Sequence, residues 1–200
     1  RRSRHELSTL SEASIAWFTT LVQSHRQRLN GSRIIKTILL MRHAKATAEE
    51  PGETDFDRVL TAKGIHMAQK TAATMKDRGF RIDRIISSSA ARTRQTADVV
   101  AEEMPLDAAR LDLDELYLAP ANAFEAAVCE RSFDDESTVL VVGHNPGIAG
   151  LMCRWSDKIF AVPTSTVAVF ESSAETWHDV RLTKMHVPKL VCLIQDGRVV

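Results

Sequence analysis

Aliphatic runs that stop abruptly in charge recur along the chain, and apolar residues at helical spacing lie between them. Lys36-Thr37-Ile38-Leu39-Leu40-Met41 ends in Arg42-His43-Ala44, and Thr138-Val139-Leu140-Val141-Val142 ends in Gly143-His144-Asn145-Pro146-Gly147. Continuous apolar runs of this length suit strands buried on both faces of an α/β sheet, with the polar residues at the carboxyl edge. Arg81–Ser87 reads as another strand, and Thr166–Phe170 and Leu190–Ile194 as β-rich stretches of the tail. Thr61 is placed to cap a helix in which Ile65, Ala68, Ala72 and Met75 recur until Gly79 stops the run. Arg92 to Met104 is a second helix ended by Pro105, Ala121 to Arg131 a third, and Pro146 to Trp155 a fourth with proline in its first turn. Alternation of strand and helix predicts a three-layer α/β/α sandwich with a mostly parallel central sheet.

Composition narrows the class without naming the chemistry. Two hundred residues with 44% hydrophobic side chains suit one domain, residues 34–200, preceded by an extension over residues 1–33. The extension carries Arg1, Arg2, Arg4, Arg26, Arg28 and Arg33 around a patchy apolar helix candidate between Leu7 and Val22. Glu6 and Glu12 favour a partly helical or flexible extension over a transit peptide. Twenty-six basic and 26 acidic residues cancel, so no global field draws the chain to nucleic acid or to a membrane surface. Any anion site is therefore local. The three cysteines, Cys129, Cys153 and Cys192, form neither a disulfide framework nor a metal-binding spacing, which favours a reducing, cytoplasmic setting. No apolar run nears the roughly 20 residues of a membrane span.

Ligands of open α/β sheets bind outside the carboxyl ends of the strands, where His43 and His144 fall. An imidazole there can act as base, metal ligand or nucleophile. Arg42 beside His43 disfavours a metal, since a fixed cation repels another. Arginine suits a phosphoryl group instead, whose oxygens accept paired guanidinium hydrogen bonds. A second arginine is offered by Ser87-Ser88-Ser89-Ala90-Ala91-Arg92-Thr93-Arg94-Gln95-Thr96-Ala97, in the first turn of a helix whose N–H groups also attract anions. Arg94, the competitor for that place, reads as surface.

These pieces together resemble the histidine phosphatase superfamily, which has a phosphoglycerate-mutase-like fold. Arg42-His43 matches its arginine–histidine pair, with Ala44 where many members have glycine. Ser88, Arg92, Gln95, Thr96 and Ala97 match its second motif, and Gly143-His144 its late glycine–histidine pair. Leu60-Thr61-Ala62-Lys63-Gly64 matches its Leu-Thr-x-x-Gly helix start. Within the superfamily, Leu39–Ala46 and Val142–Gly147 are most similar to the small SixA-type phosphohistidine phosphatases. Residues 97 to 137 leave no room for a large cap, and a shallow pocket suits a phosphorylated side chain on a protein.

The resemblance implies a metal-independent, cofactor-free phosphatase. His43 would attack phosphorus, and water would hydrolyse the resulting phosphohistidine. Arg42, Arg92 and His144 would hold the phosphoryl oxygens. Glu115 is the candidate proton donor, ahead of Asp114. It would matter for an alkoxide leaving group, less for an imidazole. The expected partner is a phosphohistidine protein. The alternatives are a small phosphomonoester, such as a sugar or nucleoside phosphate, and a phosphate-binding member without catalysis. Lys45, Arg58 and Lys63 read as solvated surface cations, and His66, His178 and His186 as structural or exposed. Ser87–Ser89 reads as a loop with N–H groups near phosphate, and Pro163-Thr164-Ser165-Thr166 resembles a pocket-lining segment. The sequence fixes no oligomeric state.

Overall fold

The structure, a computed structural model, describes residues 35–104, 108–182 and 186–200, with only the backbone at 181 and 182. The extension over residues 1–33 and Pro105 lie outside the described residues. In chain order the elements are β1 (Lys36–Arg42), α1 (Ala62–Asp77), β2 (Arg84–Ser88), α2 (Ala91–Glu103) and β3 (Ala109–Leu113). A single 3-10 turn (Asp114–Leu116) leads to α3 (Ala121–Arg131), β4 (Thr138–Gly143), α4 (Gly147–Ser156) and β5 (Val167–Ser172). The chain closes with α5 (Asp179–Leu182), β6 (Lys189–Gln195) and β7 (Arg198–Val199).

The strands form one sheet in the order β3-β2-β4-β1-β5-β6-β7. The first four are parallel and the last three run antiparallel to their neighbours, so the sheet is mixed. The apolar runs explain the order. Ile38 to Met41 and Val139 to Val142 are fully buried, and their strands sit side by side at the centre. Ile38, Leu40, Val139 and Val141 turn toward α3 and α4, where Phe124, Ile148, Leu151 and Trp155 complete one core. The alternate residues, Leu39, Met41, Leu140 and Val142, face the opposite layer. There α1 and α2 pack together, and Ala44, Leu60, Ala68 and Val99 form a smaller cluster.

Register decides where the chemistry falls. Arg42 pairs with Gly143 across β1 and β4, so the next residue of each strand, His43 and His144, leaves the sheet at the same height. His43 N–H donates to the Gly143 carbonyl at 3.0 Å and locks that alignment. Ser87 pairs with Val142 on the other side of β4, which carries Ser88 and the start of α2 to the same edge. Only β3 and the 3-10 turn separate α2 from Pro120, so no cap stands over that edge among the described residues.

Gly64 and Gly143, like Gly147, hold close approaches. A Cβ on Gly64 would lie 2.0 Å from the Lys45 carbonyl oxygen, where α1 abuts the loop after His43. A Cβ on Gly143 would lie 2.3 Å from Phe124 Cε1. Gly143 is not among the residues at positive φ, so the residue before His144 must be small rather than conformationally free. Thr61 caps α1 by accepting from Gly64 N–H at 3.0 Å.

Candidate active site

The two histidines meet with ring centroids 5.2 Å apart. His43 Nδ1 lies 2.8 Å from the Ala44 carbonyl oxygen, which has only lone pairs to offer. Nδ1 must therefore carry the proton and donate, which leaves the Nε2 lone pair free. Burial pushes His43 down to about 4, and the Arg92, Arg42 and Arg58 charges push the same way. The imidazole is neutral at pH 7. A neutral ring with an unprotonated Nε2 is what nucleophilic attack requires.

His144 is buried, and its Nε2 lies 2.9 Å from Ser88 Oγ. Its Nδ1 is buried without a hydrogen-bond partner among the described residues. Burial first, and then the His43 and Arg92 charges, push His144 down to about 3, so it too is neutral at pH 7.

Arg42 reaches across to the Val162 carbonyl through Nη1 at 2.9 Å, and its buried Nε has no partner among the described residues. Arg92, 3% exposed, lies in the first turn of α2 and is gripped by Asp55. Its Nη2 donates to Asp55 Oδ2 at 2.8 Å and its Nη1 to the Asp55 backbone oxygen. Arg58 Nη1 donates to Asp55 Oδ1 at 2.6 Å, and Tyr117 Oη to Oδ2 at 2.6 Å. These partners, the Tyr117 hydroxyl foremost, hold the Asp55 carboxyl well below the ordinary carboxylate range. The Tyr117 ring stands edge-on to His144 at 5.7 Å and to Phe56 at 5.0 Å. The guanidiniums of Arg42, Arg58 and Arg92 all act on His43, and the one carboxylate among them, Asp55, pairs with Arg58 and Arg92, which leaves a net two positive charges beside two neutral imidazoles. A phosphoryl dianion matches that charge.

The motif residues that touch no histidine knit this edge together. Thr96 Oγ1 accepts from Ala44 N–H at 3.0 Å and donates to the Arg92 carbonyl at 2.6 Å. Gln95 Oε1 accepts from Leu60 N–H at 2.7 Å and ties the Leu60–Gly64 segment to α2. Ser165, at φ 64°, donates its N–H to the carbonyls of Arg42 and His43 and so backs the turn that presents His43. Among the described residues no group of three or more His, Cys, Asp or Glu is arranged to hold a metal ion.

The structure thus brings Arg42, His43, Arg92 and His144 together and puts Glu115 elsewhere. Glu115 is 55% exposed on its side chain and pairs with Arg131 at 3.4 Å. Asp114 is exposed as well. Arg58, expected as a solvated cation, is half-buried and belongs to the site through Asp55 and the Thr47 carbonyl. Lys45, Lys63, Arg94, His66 and His178 are exposed, and His186 lies beside Ser172 and Ser173. Sequence reasoning missed Asp55 and Tyr117. The one signal for Tyr117 was that it is the only tyrosine in the chain.

Comparison with known proteins gives the family. Residues 38–118 match the model of the histidine phosphatase superfamily (branch 1). An uncharacterized protein of Mycobacterium tuberculosis is 31% identical over 166 residues, covering 74% of this chain and all of that one. Among solved structures, a protein of Nakamurella multipartitia provisionally assigned as the phosphohistidine phosphatase SixA is 28% identical with a TM-score of 0.69. That match covers 80% of this chain and 95% of the other. A protein of Agrobacterium tumefaciens with the same provisional assignment is 28% identical with a TM-score of 0.67, covering 80% and 97% of the two chains. The chain belongs to the histidine phosphatase superfamily and is a phosphatase of SixA-like architecture.

Proposed function

We propose that residues 34–200 form a metal-independent phosphatase that works through a phosphohistidine on His43, with protein phosphohistidine as substrate. In the first step His43 Nε2 attacks phosphorus in line. A P–N bond to His43 forms as the P–N bond to the substrate ring breaks; that ring, protonated from solvent on its other nitrogen before cleavage, leaves with the electron pair as neutral imidazole. Water then attacks phosphorus, the His43–phosphorus bond breaks, and inorganic phosphate leaves with His43 neutral again. Arg42, Arg92 and the free Nδ1 of His144 are the donors available to the equatorial oxygens. Fixed guanidiniums supply the positive charge that a metal supplies in other phosphoryl transfers.

The observation that carries the substrate class is the state of the carboxyls. Asp55 is held ionised by Tyr117, Arg58 and Arg92, and Glu115 is engaged with Arg131 in solvent. Neither is poised to protonate an alkoxide. An imidazole leaving group, with an ordinary pKa of about 6.5, departs without such help. The shared architecture with proteins provisionally assigned as SixA supports the same reading. Three free cysteines, one of them buried, fit a reducing cytoplasmic setting.

The test is turnover of a phosphohistidine peptide against a panel of sugar and nucleoside phosphates, each with and without a chelator. Preference for the peptide, unchanged by the chelator, is expected. Turnover of the esters alone, abolished by Glu115→Gln, would replace this reading with a small-molecule phosphatase.

A further inference from the structure

We propose that Asp55 and Tyr117 are positioning residues for Arg92, holding its guanidinium in the orientation that the transferring phosphoryl group requires. This rests on the reading of the His43 edge as a phosphoryl-transfer site. The argument begins with how Arg92 is held. A guanidinium is planar and its five N–H donors are fixed relative to one another, so gripping two of them sets the direction of the other three. Asp55 takes one N–H from each terminal nitrogen, through its carboxylate and through its own carbonyl. The remaining donors are then the ones that can address substrate.

Asp55 is itself fixed from several directions. Arg58 holds its other carboxylate oxygen, and Arg58 is in turn anchored by its Nε to the Thr47 carbonyl at 2.7 Å. The next residue, Phe56, accepts from Ala91 N–H at 3.0 Å, at the start of the helix that carries Arg92. Tyr117 closes the arrangement from the far side of the site, 62 residues along the chain. Its hydroxyl shares the oxygen Oδ2 with Arg92, and its ring touches His144 and lies 5.8 Å from the Arg92 guanidinium carbon. One tyrosine therefore contacts Asp55 through oxygen and the phosphate-side groups through its ring. Tyr117 Oη donating to Oδ2 keeps that oxygen from swinging away from Arg92.

A different role would be open to the same carboxylate. An anion on Arg92 can act as an internal competitor that substrate must displace. The number of independent tethers on Asp55 favours a fixed brace over a displaceable ligand, and the two roles predict opposite responses to neutralisation.

The experiment uses the full chain, a generic aryl phosphate as phosphodonor, and inorganic phosphate as competitive inhibitor, for wild type, Tyr117→Phe, Asp55→Asn and the double variant. Misaimed catalytic groups typically cost on the order of 10²-fold. For Asp55→Asn the expected result is kcat lower by about 10- to 10²-fold, with inorganic phosphate bound as tightly as by wild type or more tightly, since one negative charge has gone. Tyr117→Phe keeps the ring and should lower kcat by a few-fold with KM little changed. In the Asp55→Asn background the same tyrosine change should have almost no further effect, because its hydroxyl acts through the carboxylate. Higher kcat/KM in Asp55→Asn would overturn the proposal in favour of the internal competitor. An equal Tyr117→Phe loss in both backgrounds, or phosphate affinity falling in step with kcat, would overturn it in favour of general structural support. If Asp55→Asn does not fold, an unchanged kcat in Tyr117→Phe is sufficient to overturn it. Wild-type turnover of the aryl phosphate or of a phosphohistidine peptide separately tests the reading beneath: turnover of neither removes both, and turnover with the wrong variant pattern removes only this inference.

Discussion

The ends of β1 and β4 make two corners of one site from similar parts, and they differ in how each histidine is held. At the β1 corner His43 is only part-buried and bonds its Nδ1 to the backbone of the next residue, so Nε2 stays free. At the β4 corner His144 is 1% exposed and bonds its Nε2 to a side chain, Ser88, so Nδ1 stays free. Opposite nitrogens are thus available at the two corners. The partly open ring with a carbonyl-fixed proton suits a nucleophile, and the enclosed ring suits an oxygen-binding donor. The neighbours differ too: Arg42 precedes His43, whereas Gly143, packed on Phe124, precedes His144. The comparison teaches that a strand-end histidine acquires its role from the hydrogen bond on its other nitrogen.

Substitutions at the two corners should separate by size. His43→Ala should lower turnover by at least about 10³-fold and abolish any covalent phosphate, measured by steady-state kinetics and intact mass. His144→Asn and Arg92→Ala should each cost about 10²- to 10³-fold in kcat, as expected for one preorganised donor, while His144→Asn still forms the adduct. Equal loss of adduct in both histidine variants would break the distinction between corners.

Acidity sharpens it further. His43 and His144 are held down to about 4 and about 3, against an ordinary value near 6.5. Between those values the unfolded chain binds more protons than the folded one, so stability is lost as pH falls through that window. Melting temperature should therefore drop from pH 6.5 toward pH 4, and less so in His144→Asn. Activity should persist from pH 7 to pH 5 and fail near pH 4, where His43 takes up its proton. The smallest effect is expected at Glu115→Gln, with less than about a two-fold change toward phosphohistidine peptide.

Much of this was legible in the sequence because the central strands announce themselves. A run such as Val139–Val142 has no polar residue to face solvent, so it must lie inside the sheet, and its histidine must lie at the edge. Thr61, the Ala121–Arg131 helix and the Pro146 turn were readable for equally local reasons. The antiparallel direction of β5 to β7 was not, since a short apolar strand reads the same in either direction. Nor was the clasp on Arg92. Asp55 and Arg58 sit in a segment without hydrophobic period, and their ties run to residues 37 and 62 positions away or to a backbone carbonyl. Arg58 looked like a surface charge because nothing local shows that it is enclosed. Glu115 looked like a site residue because it follows β3, but the 3-10 turn presents Leu116 to the core and Tyr117 to His144 instead.

The most direct test of His43 as the nucleophile is a rapid quench of wild type and His43→Ala after brief mixing with a labelled phosphodonor, followed by intact mass. The account predicts one acid-labile, base-stable phosphate on wild type and none on the variant. Robust wild-type turnover with no adduct at any time point, or an adduct that survives in His43→Ala, would contradict it.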